Sequence, residues 1–337
     1  MVQTSKSLFN VIITGPRIAE EGLLLLSETC RVEFAKPYLK SAELAEMLRA
    51  QKTDGLIVRM GKITEEVIQA SPNLRVITKH GAGVDNIDIG AATRAGIPVL
   101  ITAEANFNSV AEHVLGLMFS LAKDIPQLDA RVKAGHWDKA DYRGMELSKK
   151  ILGLIGFGRI ARRVSELVAP LGMEVLVYDP FLNVHTFPAG LTRVQALDTL
   201  LEKADIVSLQ CPLTEQTRRL MGTAQFKKMK KTAWLINTAR GEVVDEKALI
   251  DALKNGEIAA AGLDTFSKEP PEDLSRLCEA GKTVLSPHVG GITEESFERM
   301  GVEAARNILT ILEGRKPDKG CVINQEVFEQ RPSPQEI

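Results

Sequence analysis

The chain has little cysteine and few aromatic side chains. Four cysteines, Cys30, Cys211, Cys278 and Cys321, are scattered through 337 residues. They do not stand at the short repeated spacings of a metal site, and they are too few for a disulfide framework. This usage suits a reduced compartment. A surplus of one charge is also missing: 42 Lys and Arg stand against 44 Asp and Glu, mixed along the sequence. With no basic block, there is no electrostatic footprint for nucleic acid. No apolar run is long enough to cross a bilayer, so no membrane partner is expected. The opening MVQTSKSLFNVIITG runs into a strand-like segment rather than a signal sequence. A soluble, cytoplasmic protein is the expectation. Low-complexity tracts are lacking as well, and the length suggests two domains of ordinary size, each able to bury a core.

What the sequence does contain is alternation. FNVIITG, RVEFA, GLIVRM, LRVITKH and IPVLIT read as strands. Helical patterns such as IAEEGLLLLSE and SAELAEMLRAQ lie between them, the second with Ser41 as its expected N-cap. Strands alternating with helices build βαβ units and a parallel sheet. A longer helical pattern runs from about Asn108 to Lys133, where Pro126 is expected to kink or split it. The alternation then restarts with KILGLIGFG, MEVLVYD, DIVSLQ, AWLINTA, AAAGLDTF and TVLSPH, six strand-like runs that suit a Rossmann-type sheet. A long amphipathic segment, TEESFERMGVEAARNILTILEG, leads into CVINQEVF, which is expected to return to the first domain. The fold class is therefore α/β, with two doubly wound parallel-sheet domains. One takes residues 1–103 and 295–337, the other residues 104–294, and a cleft between them is the expected ligand site.

The run ILGLIGFGRIARRV holds Gly156, Gly158 and Ala161 as G-x-G-x-x-A, after a strand and at the start of a helix. Gly156 permits the tight turn. Gly158 lets backbone approach a pyrophosphate at the helix N-terminus, beside Arg159 and Ile160. Ala161 is small enough for the helix to pack on the strand. The next strand ends in Asp179, at the spacing of an acid that accepts hydrogen bonds from ribose hydroxyls. A carboxylate there repels a 2′-phosphate, so NAD is the expected cofactor rather than NADP.

LINTARGEVVDEKALIDAL, AAAGLDTFSKEP and SPHVGGITEES, with KHGAGVDNID and NFNSVAEHVLGLM, resemble segments of the D-2-hydroxyacid dehydrogenase family. The resemblance covers nearly the whole chain. It implies a flavodoxin-like substrate domain, a Rossmann NAD-binding domain, and Arg240, Glu269 and His288 as catalytic residues. Cys211, Pro212, Thr238, Ala239, Asp264, Gly290 and Gly291 are implied beside the cofactor. The backbone N–H groups of Ala82 and Gly83 are implied to hold a substrate carboxylate, with Ala82 also near the cofactor. A homodimer is implied, formed through the long helix and the arm from Asn108 to Gly144. The chemistry agrees. Reducing a 2-keto acid to a 2-hydroxy acid needs a hydride, a proton and a grip on an anion. Histidine is the natural proton donor near neutral pH, a glutamate fixes its tautomer, and arginine offers a planar fork to a carboxylate. Taken singly, each residue has a plainer reading: Arg240 paired with Glu242, Glu269 in a solvated loop, His288 capping a turn. Among the other histidines, His113 reads as structural, His80 as lining the cleft, and His136 and His185 as loop residues.

Arg59 and Lys79 end strands of the first domain and are expected to bind a second substrate anion such as a phosphate. GLIVRM and KHGAGVDNID look most like the phosphoglycerate dehydrogenase branch, although Lys79 stands where arginine is common. A regulatory domain like that of the longer members is not expected. Hydroxypyruvate and glyoxylate are the alternative substrates. Gln210 departs from the family's usual histidine. A rival of another class is a non-catalytic NAD-sensing protein, like the transcriptional corepressors that share the fold. Formate dehydrogenase is disfavoured by Glu269, because that enzyme pairs its histidine with glutamine.

Overall fold

The computed structural model describes residues 8–182 and 187–329. The chain divides into two compact units, Met1–Asn106 with Ile292–Ile337, and Phe107–Gly291. In the first, β1 (Phe9–Thr14), α1 (Glu20–Ser27), β2 (Cys30–Ala35), α2 (Ser41–Gln51), β3 (Gly55–Val58), α3 (Glu65–Ile68), β4 (Val76–Lys79), α4 (Ile89–Arg94) and β5 (Val99–Ile101) alternate. Every neighbouring pair is parallel, in the order β2-β1-β3-β4-β5. That is the doubly wound order of flavodoxin-like domains. Helices cover both faces, so β3 is buried at all four positions and reads in sequence as a continuous apolar run. Ser41 is the first residue of α2 and not its N-cap, which is Lys40. The helix begins one residue early because the Glu43 carboxylate accepts from the Lys40 N–H at 3.2 Å.

The second unit contains α5 (Phe107–Lys123), α6 (Ile125–Lys133), β6 (Ile151–Ile155), α7 (Arg159–Val168), β7 (Glu174–Tyr178), β8 (Thr192–Arg193), α8 (Leu197–Lys203), β9 (Ile206–Leu209), α9 (Thr223–Phe226), β10 (Trp234–Asn237), α10 (Glu246–Lys254), β11 (Ala260–Leu263), α11 (Ser275–Cys278) and β12 (Lys282–Leu285). Its sheet is parallel throughout, in the order β12-β11-β10-β9-β6-β7-β8. All six expected runs are strands. The edge strand β8, two residues long, is too short to leave a periodic signal. Leu200, Phe226 and Leu249 pack on one face of the sheet, and Val114, Leu117 and Val164 on the other. The long helical pattern is split rather than kinked. Asp124 adopts a left-handed φ of 51° between α5 and α6, and Pro126 sits in the first turn of α6, where its missing N–H costs no helical bond.

The chain then returns to the first unit through α12 (Glu294–Leu312) and α13 (Glu326–Glu329). Between these helices Ile323 donates its N–H to Val99, and the Asn324 side chain bonds Val99 and Ile97 beside β5. Among the described residues no helix is long and apolar enough to cross a membrane. Glycines let α12 lie against α1. A Cβ on Gly22 would fall 2.5 Å from the Gly301 carbonyl oxygen. Gly22→Val is therefore expected to pry the two helices apart and destabilise the first unit by about 1–3 kcal/mol. Urea unfolding followed by circular dichroism measures this as a lower midpoint, and an unchanged midpoint would refute the close packing.

Candidate active site

In a parallel sheet all strands end at one edge, and in the second unit that edge collects the residues singled out in the sequence. The strand order reverses at β6, between β9 and β7. There Gly156 turns with a φ of 90°, and a Cβ on it would lie 2.8 Å from the Gln210 backbone. Only glycine allows the loop after β6 to pass this close to the end of β9. Gly158 caps α7, and a Cβ there would meet open space, so the helix N-terminus stays accessible. Asp179 follows β7 and ties down the loop, accepting the Phe157 N–H at 2.9 Å and the Phe181 N–H at 2.9 Å. The Arg162 guanidinium covers the Phe157 ring at 4.7 Å.

Arg240 is held by the turn that follows β10. Asn237 closes that turn with its side chain, accepting from the Ala239 N–H at 3.0 Å and donating to the Arg240 carbonyl at 2.9 Å. Gly241 next to it packs on the Phe266 backbone so tightly that a Cβ would fall 1.9 Å from the Phe266 carbonyl carbon. This contact draws the arginine turn towards the loop after β11, which carries Glu269. Glu242 pairs with Arg218 at 2.7 Å.

Glu269 and His288 meet. The carboxylate Oε2 lies 2.6 Å from the imidazole Nδ1, and Oε1 accepts the Phe266 N–H at 3.0 Å. Burial favours the neutral acid, but the bonds from His288 and Phe266 and the charges of His288 and Arg240 outweigh it, so the Glu269 pKa lies below its ordinary value. An ionised carboxylate only accepts, which places a proton on Nδ1 of His288, the nitrogen that meets Glu269. His288 itself adopts a left-handed φ of 55°. Beneath it Asp264, 2% exposed, accepts from the Val289 N–H at 2.9 Å, the Gly290 N–H at 2.8 Å and the Ser286 hydroxyl at 2.7 Å. Burial pushes the Asp264 pKa up, yet these bonds and that from His113 overcome it and hold the carboxyl below its ordinary value.

In the first unit, Gly81, with a φ of 133°, turns the chain after β4. Its N–H is bound by the Thr102 hydroxyl at 2.8 Å. Among the described residues neither Ala82 nor Gly83 donates its N–H within the chain. Arg59 lies over the Phe297 ring at 5.2 Å and donates to the Arg17 carbonyl. Lys79 donates to Asn86 Oδ1 at 3.0 Å. His80 is buried against Phe297, and burial with the nearby charges of Arg59 and Lys79 pushes its pKa down to about 3, so the ring is neutral.

The family model described as "D-isomer specific 2-hydroxyacid dehydrogenase, NAD binding domain" matches residues 115–290, the span holding this edge of the sheet. The chain is 40% identical over 306 residues to D-3-phosphoglycerate dehydrogenase of Methanocaldococcus jannaschii, covering 90% of this chain and 57% of that one. It is 40% identical over 325 residues to glyoxylate reductase of Thermofilum pendens, covering 94% of each. The chain belongs to the D-isomer specific 2-hydroxyacid dehydrogenase family. The NAD+-bound 3-phosphoglycerate dehydrogenase of Entamoeba histolytica superposes with a TM-score of 0.77 at 29% identity, covering 91% of this chain and 96% of that one. This chain spans just over half the length of the phosphoglycerate dehydrogenase from Methanocaldococcus jannaschii.

As a family member the second unit is an NAD-binding domain, and its residues fit that cofactor: a glycine turn, an open helix N-terminus and a carboxylate after β7. Cys211 is buried against the end of β9, and burial pushes its thiol pKa up to about 11, so it is no nucleophile. Pro212 is exposed beside it, Thr238 is buried and Ala239 half-buried after β10, and Arg159 and Ile160 open α7. Gln210 bonds the Ser208 hydroxyl at 2.9 Å. Gly290 is buried beneath the turn, and Gly291 ends the unit. His136 lies exposed in the loop after α6, and His185 lies outside the described residues. No local pattern marks His113 as anything but a structural residue of α5. Its partner Ser286 is 173 positions away.

A depressed carboxyl stabilises the fold fully above its ordinary value, and that contribution is lost as pH falls through that value and below it. Asp264→Asn is expected to cost on the order of 2 kcal/mol at neutral pH. The gap to wild type should narrow as pH falls below the ordinary carboxylate range, where the Asp264 carboxylate takes up its proton and becomes neutral like the carboxamide. Denaturant unfolding across that range tests this; a gap independent of pH would contradict the ionised state of Asp264.

Proposed function

We propose that this protein is an NAD-dependent dehydrogenase that interconverts a small 2-hydroxy acid and its 2-keto acid. The observation that supports it most is the His288–Glu269 pair at 2.6 Å, at the same sheet edge as Arg240 and the dinucleotide loop. Bound NADH supplies a hydride to the keto carbon. The guanidinium of Arg240 grips the substrate carboxylate and polarises the carbonyl. His288 delivers a proton from Nε2 to the forming alkoxide, and in the reverse direction takes it back. Glu269 stabilises the charged imidazole and keeps Nε2 turned outward. Asp179 accepts the ribose hydroxyls and repels a 2′-phosphate, which favours NAD over NADP. The first unit serves as the substrate domain, with the N–H groups of Ala82 and Gly83 for the carboxylate.

The leading substrate is 3-phosphoglycerate, because Arg59 follows β3 and Lys79 ends β4, placing two cations at the ends of adjacent strands, and a relative at 40% identity is a phosphoglycerate dehydrogenase. The glyoxylate reductase of matching length favours a second reading, reduction of glyoxylate or hydroxypyruvate. Four cysteines, none of them in a disulfide, suit the cytoplasm. The dimer expected through α5 and the arm after it is best supported by α6. That helix buries none of its residues and leaves Ile125, Val132 and, beyond its end, Trp137 exposed.

A panel of phosphohydroxypyruvate, hydroxypyruvate and glyoxylate with NADH or NADPH, followed by absorbance, is expected to show turnover with NADH on at least one acid. His288→Asn should bind NADH as tightly as wild type while kcat falls by a factor of roughly a thousand or more. Full activity in that variant sinks the catalytic assignment, and preference for NADPH sinks the role given to Asp179. Sedimentation at micromolar concentration is expected to give a dimer, and Trp137→Asp with Val132→Asp a monomer. A wild-type monomer refutes that surface as an interface.

A further inference from the structure

His288 stands in a backbone conformation that a non-glycine residue adopts only when its surroundings enforce it, at a cost of roughly 1 kcal/mol or more. The two N–H groups that follow it, of Val289 and Gly290, both end on Asp264, one on each carboxylate oxygen. The turn is therefore as fixed as that carboxylate is. Asp264 in turn is held by its own N–H on the Asn237 carbonyl at 2.9 Å and by the Ser286 hydroxyl. The remaining neighbour comes from a distant part of the same unit. His113, on the face of α5 turned to the sheet, places Nε2 2.8 Å from Ser286 Oγ and 3.4 Å from Asp264 Oδ1.

The proton positions in this chain of groups follow from counting donors. Asp264 is ionised and accepts only, and a serine hydroxyl has one proton to give. That proton goes to Asp264, so Ser286 Oγ accepts from His113, whose Nε2 carries the hydrogen. The His113 ring also closes over the turn. A Cβ on Gly290 would lie 3.1 Å from its Cδ2 and 2.8 Å from Asp264 Oδ2. The imidazole thus donates into the network from one atom and with another leaves no room for a side chain at Gly290, two residues beyond His288.

We infer that His113 is a positioning residue: through Ser286 and Asp264 it locks the left-handed turn that presents His288 to Glu269. The inference rests on the dehydrogenase reading for its kinetic consequence, and on geometry alone for its structural one. A histidine that merely filled the core would change stability and leave the chemistry of each folded molecule alone. One that positions the turn alters the chemical step while cofactor binding stays intact, because displacement of a proton donor by even 1 Å costs up to about a hundredfold in rate.

The test uses the full chain with His113→Phe, which keeps a ring and removes the donor, and with His113→Gln, Ser286→Ala and Ser286→Thr. For each folded variant kcat and the KM for NADH are measured on the best acid of the panel. The deshielded Nδ1–H proton of His288 is followed by NMR on histidine-labelled protein. His113→Phe and Ser286→Ala are each expected to lower kcat about tenfold to a hundredfold with the KM for NADH within about twofold. The double variant should fall no further than the worse single one, since both act through one bond. Ser286→Thr, which keeps the hydroxyl, should restore most of kcat. The Nδ1–H resonance should shift or broaden in His113→Phe, His113→Gln and Ser286→Ala but not in Ser286→Thr. The inference is overturned if kcat and the resonance stay unchanged in His113→Phe and Ser286→Ala, or if the two effects simply add. If wild type reduces no acid of the panel, the dehydrogenase reading fails instead. The NMR comparison then decides the positioning role by itself.

Discussion

A carboxylate buried under a turn has to collect donors, and Asp264 collects them by bending the chain around itself. Its two oxygens take the N–H groups of Val289 and Gly290 and the hydroxyl of Ser286. An ionised group with little access to water is tolerated only when its hydrogen bonds are made, so the turn and the charge depend on each other. His288 inherits its unusual backbone from this arrangement, and Glu269 reaches its ring only because the turn aims it there. Loss of the carboxylate charge removes the reason for the turn, and with it the reason for the pair.

Around that point the sheet acts as a jig. Parallel strands end on one edge, so the dinucleotide loop after β6, the carboxylate after β7, the arginine turn after β10 and the histidine turn after β12 are gathered without any being near another in sequence. Close backbone approaches set the spacing. Gly156 lets the loop after β6 touch the end of β9, and Gly241 lets the arginine turn rest on the loop that carries Glu269. Each is a place where a side chain of any size would push two functional loops apart.

The histidines show how environment divides one residue type into different roles. His80 is sealed against Phe297 among cations and stays neutral. His113 donates from Nε2 into a serine and a carboxylate. His288 keeps its ring half exposed, with Nδ1 on Glu269. Composition alone distinguishes none of these, because the difference lies in which groups surround each ring.

Much was legible in the chain itself, where the signal is local. Apolar runs buried on both faces mark the strands, because a parallel sheet covered by helices needs them continuous. The glycine spacing after ILGLI marks the turn into α7, because turn, close approach and helix packing each need a small residue at a set offset. The family segments brought Arg240, Glu269 and His288 into view. The N-cap of α2 escaped, since a helix start can shift by one residue at little cost, and so did the two-residue strand β8. Tertiary structure alone decided that Glu242 belongs to Arg218, that Glu269 reaches His288 across nineteen positions, and that His113 meets Ser286 across 173. Sequence carries what a residue imposes on its neighbours along the chain. Hydrogen bonds between loops depend on how strands are ordered in space, and that order is settled only when the whole sheet has packed.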